Sequence, residues 1–149
     1  MDAISNLWVR LAQVTTLQFI AVSNSDSGWN GSGAGEVRVE QPGEDMLIFH
    51  ESGEWESAAR KRFRFSNAYR WIKTGPESVR LEHLRFGADQ PVFLFELAPA
   101  AEGAWKSVSP HVCSEDCYSA ELRLTDVGIN LLWTIAGLEK QESIDYEYR

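Results

Sequence analysis

Arg60-Lys61-Arg62-Phe63-Arg64-Phe65-Ser66-Asn67-Ala68-Tyr69-Arg70-Trp71-Ile72 is the stretch whose reading decides the fold. In an extended chain successive side chains point to opposite faces. Phe63, Phe65, Asn67, Tyr69 and Trp71 then share one face, and Arg62, Arg64, Ser66, Ala68 and Arg70 share the other. Upstream, Met46–Trp55 sets Leu47, Phe49 and Glu51 against Met46, Ile48 and His50 in the same way. The pattern recurs in Ser78–Phe86, Val92–Leu97, Trp105–Val108, Asp116–Thr125, Ile129–Ala136 and Ser143–Arg149. Turn signals separate these runs: Pro42-Gly43, Thr74-Gly75-Pro76, Gly87-Ala88-Asp89, Glu102-Gly103, Asp126-Val127-Gly128 and Gly137. Spacing of about 8–15 residues between turns predicts an antiparallel up-and-down meander of about eight to ten strands.

The N-terminal part differs. Ile4, Leu7, Trp8 and Leu11 recur at helical spacing, which predicts a short amphipathic helix over Ile4–Gln13 with Ser5 as its cap, serving as a lid or plug. Val14–Val22 then turns to β-forming residues, and Ser23 to Gly35 reads as a loop. Gly31-Ser32-Gly33-Ala34-Gly35 has the look of a phosphate-binding loop in the wrong context, because Glu36–Glu40 after it alternates like a strand. Glycines entering a strand mark a bend or a close backbone approach.

Several strands are apolar on one face and mixed on the other, and Val92-Phe93-Leu94-Phe95 is apolar on both. That pattern fits an all-β single antiparallel barrel with a partly polar inside, and closure removes the exposed sheet edges. A β-sandwich, which calls for cleaner alternation, is the second choice. A length of 149 residues suits a single domain over residues 1–149.

A net charge of -8 argues against a nucleic-acid or anionic-membrane partner, since both need clustered Lys and Arg. No apolar run is long enough for a membrane helix, and Met1–Ser5 lacks the basic start of a secretory signal. The expectation is a cytoplasmic protein whose two cysteines are thiols.

His111, Cys113 and Cys117 share a face in an extended strand and could supply three of the four ligands of a zinc site, yet buried thiols and a core histidine are the simpler account, so no metal is expected. A Cys113–His111 nucleophile lacks an orienting third group on the same face. Glu51 and Glu54 with Asp116 could supply paired carboxylates for hydrolysis, but in a chain of this charge they are read as surface acids. Arg62, Arg64, Tyr118 and Tyr148 are candidate polar contacts for a ligand, because guanidinium groups grip carboxylates and phenols hydrogen-bond. Alternatively, Arg62 and Arg64 face solvent. His50, His83 and His111 fall on three separate expected strands. If all point inward, they line one cavity and could hydrogen-bond a ligand or hold a haem-type iron.

In the C-terminal third, His111-x-Cys113-x-x-Asp116-x-Tyr118, Trp133-x-x-x-Gly137-x-x-Lys140 and Tyr148-Arg149 resemble the signature of a family of small bacterial domains of unknown function. Glu51-x-Gly53 and Phe63 through Tyr69-x-Trp71 are similar to that family upstream. The chain departs from it at Gly137-Leu138-Glu139-Lys140, where the family has Gly-Pro-Arg-Lys, and lacks a placeable opening Gly-x-Trp strand. The resemblance implies a calycin-like barrel, close in shape to lipocalins and fatty-acid-binding proteins, and no particular activity.

The sequence thus points to a barrel that binds a small hydrophobic or amphipathic ligand with a polar or anionic end. Arg62, Arg64, His83, His111, Asp116, Tyr118 and Tyr148 are its candidate contacts, and Trp55, Phe65, Phe93, Phe95 and Trp133 its candidate walls. The alternatives are an enzyme using His111 as acid or base with Asp116 or Tyr118, and a protein-interaction module.

Overall fold

A computed structural model describes residues 2–24, 30–108, 117–137 and 141–149. One helix, α1 (Ala3–Ala12), precedes ten strands: β1 (Thr16–Ser23), β2 (Gly31–Gly43), β3 (Met46–Ser57), β4 (Arg62–Gly75), β5 (Ser78–His83), β6 (Val92–Ala101), β7 (Ala104–Ser107), β8 (Cys117–Leu124), β9 (Ile129–Ala136) and β10 (Gln141–Tyr148). Each strand pairs antiparallel with its sequence neighbours, and β1 pairs with both β2 and β10 to close the barrel. The expected up-and-down barrel is therefore the observed one.

The alternation that opened the reading sets the wall. Tyr69 and Trp71 of β4 are buried inside, opposite Phe49 and Leu47 of β3, while Arg62 and Arg64 are exposed. The glycine-rich stretch is the first part of β2 and not a loop. It is strand because glycine removes side chains where two backbones and a ring must pass closely. A Cβ on Gly53 would sit 2.2 Å from the Ala34 carbonyl oxygen, and one on Gly33 would sit 2.5 Å from the Phe19 ring. A bulge where β5 meets β6 pairs Leu81 with Phe95 but Glu82 with Phe93. The extra residue shifts the facing, so Phe93 is exposed and Phe95 stays in the core.

α1 is capped by Asp2, which accepts from the Ser5 amide at 2.8 Å; Ser5 itself is the donor rather than the expected cap. Its buried face of Ile4, Leu7, Trp8 and Leu11 joins the barrel core. Arg10 in the last turn donates to the carbonyls of Thr125 and Gly128, and Lys73 lies 5.0 Å over the Trp8 ring. The helix thus bridges from β4 to the β8–β9 turn and plugs that end.

Candidate functional site

Burial changes along the barrel axis. Near α1 the inward side chains are fully buried: Leu17, Leu47, Trp71, Val79, Leu97, Trp105, Leu122 and Leu131. Towards the opposite end the inward positions become half-exposed, at Phe19, Gly33, Gly53, Trp55, Phe65, Asn67, His83, Tyr118 and Ile144. One half is a packed core and the other admits solvent.

At the boundary sits a polar cluster. Glu51 is only 2% exposed and shares the inward face of β3 with Leu47 and Phe49. Its Oε2 accepts from the Tyr148 hydroxyl at 2.6 Å, and its Oε1 is buried with no hydrogen-bond partner. Tyr148 stacks on Tyr146 with ring centres 5.5 Å apart, and Tyr146 shares a hydrogen bond with Tyr69. The Trp133 ring lies 5.6 Å from Tyr69 and 5.7 Å from Tyr146, and its buried Nε1 also lacks a partner. Burial pushes the Glu51 carboxyl up to about 8, the Tyr148 hydrogen bond opposing only in part. The carboxyl is thus mostly neutral at pH 7. Burial likewise raises the Tyr69, Tyr146 and Tyr148 phenols, with Glu51 adding to the effect on each, while Arg85 opposes it at Tyr69 and the Tyr69 hydrogen bond opposes it at Tyr146.

His83 stacks on Tyr69 at 4.8 Å on the half-exposed side, and its pKa is lowered by partial burial and then by the Arg85 guanidinium. Phe19 lies over Gly33, meets Phe65 edge-on at 5.5 Å and touches Tyr146 at 5.6 Å. Just past Glu51 the inward positions of β2 and β3 are Gly35, Gly33 and Gly53 before Trp55, and Phe19, Phe65 and Asn67 stand between the open end and the cluster.

Of the expected contacts, the structure links Tyr148 to His83 through Tyr146 and Tyr69, and gives Tyr118 an inward, half-exposed place on β8. Arg62 and Arg64 are exposed on the outer face, apart from the lumen. His50 is also outward, 2.8 Å from Glu40, so it does not share the inward face with His83. His111, Cys113 and Asp116, and with them the acid/base role suggested for His111, lie outside the described residues. Cys117 is disulfide-bonded and is not the thiol expected from the compartment argument, which carries no information on sulfur geometry. Among the described residues no group of His, Cys, Asp and Glu could hold a metal ion. Glu51, read as a surface acid, is the main residue that reading missed. Its signal was present in its parity with Leu47 and Phe49. Trp55 and Phe65 line the half-exposed lumen, and Phe95 and Trp133 its core, whereas Phe93 does not.

Two open depressions mark the outer wall. One of about 760 Å3 is lined by the outward Glu36, Arg38, His50, Ser52, Ser66 and Ala68 and also by the inward Glu51, Asn67 and His83. The other, of about 500 Å3, lies along Ser32, Ala34 and Glu54. Each combines outward positions with inward ones, Glu51, Asn67 and His83 in the first and Phe19, Gly33 and Trp55 in the second.

These features define a closed ten-stranded barrel, dry and helix-plugged at one end, with a neutral carboxyl and three phenols across its middle. The profile of DUF6314, a family of unknown function, matches residues 20–149, and the chain belongs to that family. No curated protein matches it significantly. Among solved structures it is similar to EF1p2_mFAP2b bound to DFHBI, at a TM-score of 0.51 and 6% identity over 99% of each chain, a likeness of fold. Among the described residues no helix is long and apolar enough to cross a membrane.

Proposed function

We propose that this barrel binds a small, largely apolar molecule in its lumen, entering at the end opposite α1 and seating a polar end against Glu51, Tyr148, Tyr146 and Tyr69. The carrying observation is the partnerless Glu51 Oε1. Leaving a buried polar atom unpaired costs about 1–3 kcal/mol, a cost that a bound polar group would remove. The half-exposed aromatic walls at Phe19, Trp55 and Phe65 supply the apolar contact such a ligand needs. The structural neighbour, a barrel bound to a small molecule, supports the same use of the shape and says nothing of the ligand here. In this reading His83, Tyr118 and Tyr148 remain ligand contacts and the barrel serves as a calycin-like carrier.

The test is a titration with 6-propionyl-2-(dimethylamino)naphthalene, a neutral fluorescent ketone. Saturable one-to-one binding is expected. Phe65→Glu, on the lumen face, should abolish it, while Arg64→Glu, one residue away on the outer face, should not. Absence of binding, or equal loss in two variants with wild-type circular dichroism, defeats the proposal.

A further inference from the structure

The chemistry of the cluster narrows the ligand further, on the footing that the lumen is the binding site. Tyr148 donates its proton to Glu51 Oε2, so that oxygen acts as the acceptor of the carboxyl. No cation pairs with Glu51 among the described residues; the titratable groups about it are Tyr148 and Tyr146 from β10 and Tyr69 from β4, Asn67 of β4 stands opposite it in register, and the Arg85 guanidinium acts on Tyr69. A buried carboxyl without a counter-charge keeps its proton. With Oε2 accepting, that proton belongs on Oε1, the atom with no partner. Of the other buried partnerless groups, Trp8 and Trp71 Nε1 lie in the packed half, whereas Trp133 packs on Tyr69 and Tyr146 and its Nε1 can only donate. Two buried donors therefore wait for an acceptor, and the acid itself opposes a negative charge.

We infer that the ligand's polar end is an uncharged hydrogen-bond acceptor, such as a ketone, aldehyde, amide or ring nitrogen, which receives the Glu51 Oε1 proton with Trp133 Nε1 as a further donor. This replaces the anionic end suggested by Arg62 and Arg64, whose guanidinium groups are exposed on the outer face. A carboxylate ligand would meet a neutral acid that has no paired cation of its own, the Arg85 guanidinium acting on Tyr69 and His83 instead. A site built to hydrogen-bond a group discriminates strongly, because its own polar atoms stay buried and unpaired when the wrong ligand enters.

Three probes separate the possibilities: the neutral ketone 6-propionyl-2-(dimethylamino)naphthalene, its carboxylate analogue 6-(dimethylamino)-2-naphthoate, and N-phenyl-1-naphthylamine, which carries no carbonyl. At pH 6.5 the ketone should bind about tenfold or more tightly than the carboxylate, a difference of about 1.4 kcal/mol. Glu51→Gln keeps a donor at the same place and should hold ketone affinity within about threefold, whereas Glu51→Leu should lose about tenfold for the ketone and little for N-phenyl-1-naphthylamine. Raising the pH past 8.5 removes the proton and should weaken ketone binding to the wild type but not to Glu51→Gln. The phenols are shifted upward and His83 downward, so neither titrates in that window. Preferred binding of the carboxylate, or a wild type whose ketone affinity ignores pH, overturns the inference while leaving lumen binding intact. So does equal ketone affinity in wild type and Glu51→Leu, as when a buried water satisfies both donors. If N-phenyl-1-naphthylamine itself fails to bind the wild type, lumen binding falls first.

Discussion

Replacing Glu51 by Gln should remove a pH dependence from the folding stability of this barrel. The carboxyl rises from an ordinary 4.5 to about 8 because it is buried. Below 4.5 it is protonated both folded and unfolded, and it exerts no drag. Between 4.5 and 8 the unfolded chain has released the proton while the folded chain still holds it. Stability then falls by about 1.4 kcal/mol for each pH unit, and by about 5 kcal/mol in all. The loss is complete once the folded group ionises. Most of it falls between pH 5 and pH 8. Glutamine keeps the shape and an acceptor for Tyr148 but cannot ionise, so every other titrating group cancels in the comparison. Urea unfolding followed by circular dichroism at pH 5, 6, 7 and 8 measures the two curves. The variant should gain on the wild type steadily, by roughly 3–4 kcal/mol across that range. Parallel curves, within about 1 kcal/mol, would refute the claim that Glu51 is held neutral in the interior.

Three further outcomes are expected. Tyr148→Phe strips Glu51 Oε2 of its donor and should cost about 1–3 kcal/mol in urea unfolding at pH 5. Gly53→Ala drives a Cβ into the β2 backbone, against the Ala34 carbonyl, and should cost about 2 kcal/mol or more by the same measurement. Leu7→Ala empties a fully buried position on the helix plug and should cost about 2–5 kcal/mol, whereas Arg62→Ala on the outer face should shift stability by no more than about 0.5 kcal/mol.

By itself the sequence determined the strand periodicity. Phe63 to Trp71 alternating with Arg62 to Arg70, and the turn residues between such runs, imply antiparallel neighbours, because side chains on a pleated strand have only two directions. It likewise determined the amphipathic helix, since Ile4, Leu7, Trp8 and Leu11 return to one side every turn. It also held the parity that puts Glu51 beside Phe49, although an acid in a chain of this charge reads first as surface. What only the tertiary structure decided was which face closes inward and what meets across the lumen. A periodicity of two gives faces but not their sense, so Arg62, Arg64 and His50 were open to either side until closure turned them out. The bulge beside Glu82 reversed Phe93, because one unpaired residue shifts all facing beyond it. The meeting of Glu51 with Tyr148, separated by 97 positions in the chain, exists only because β1 pairs with β10 and seals the barrel. Local pattern encodes directions along a strand, whereas a site made from opposite walls depends on the register of every pairing between them.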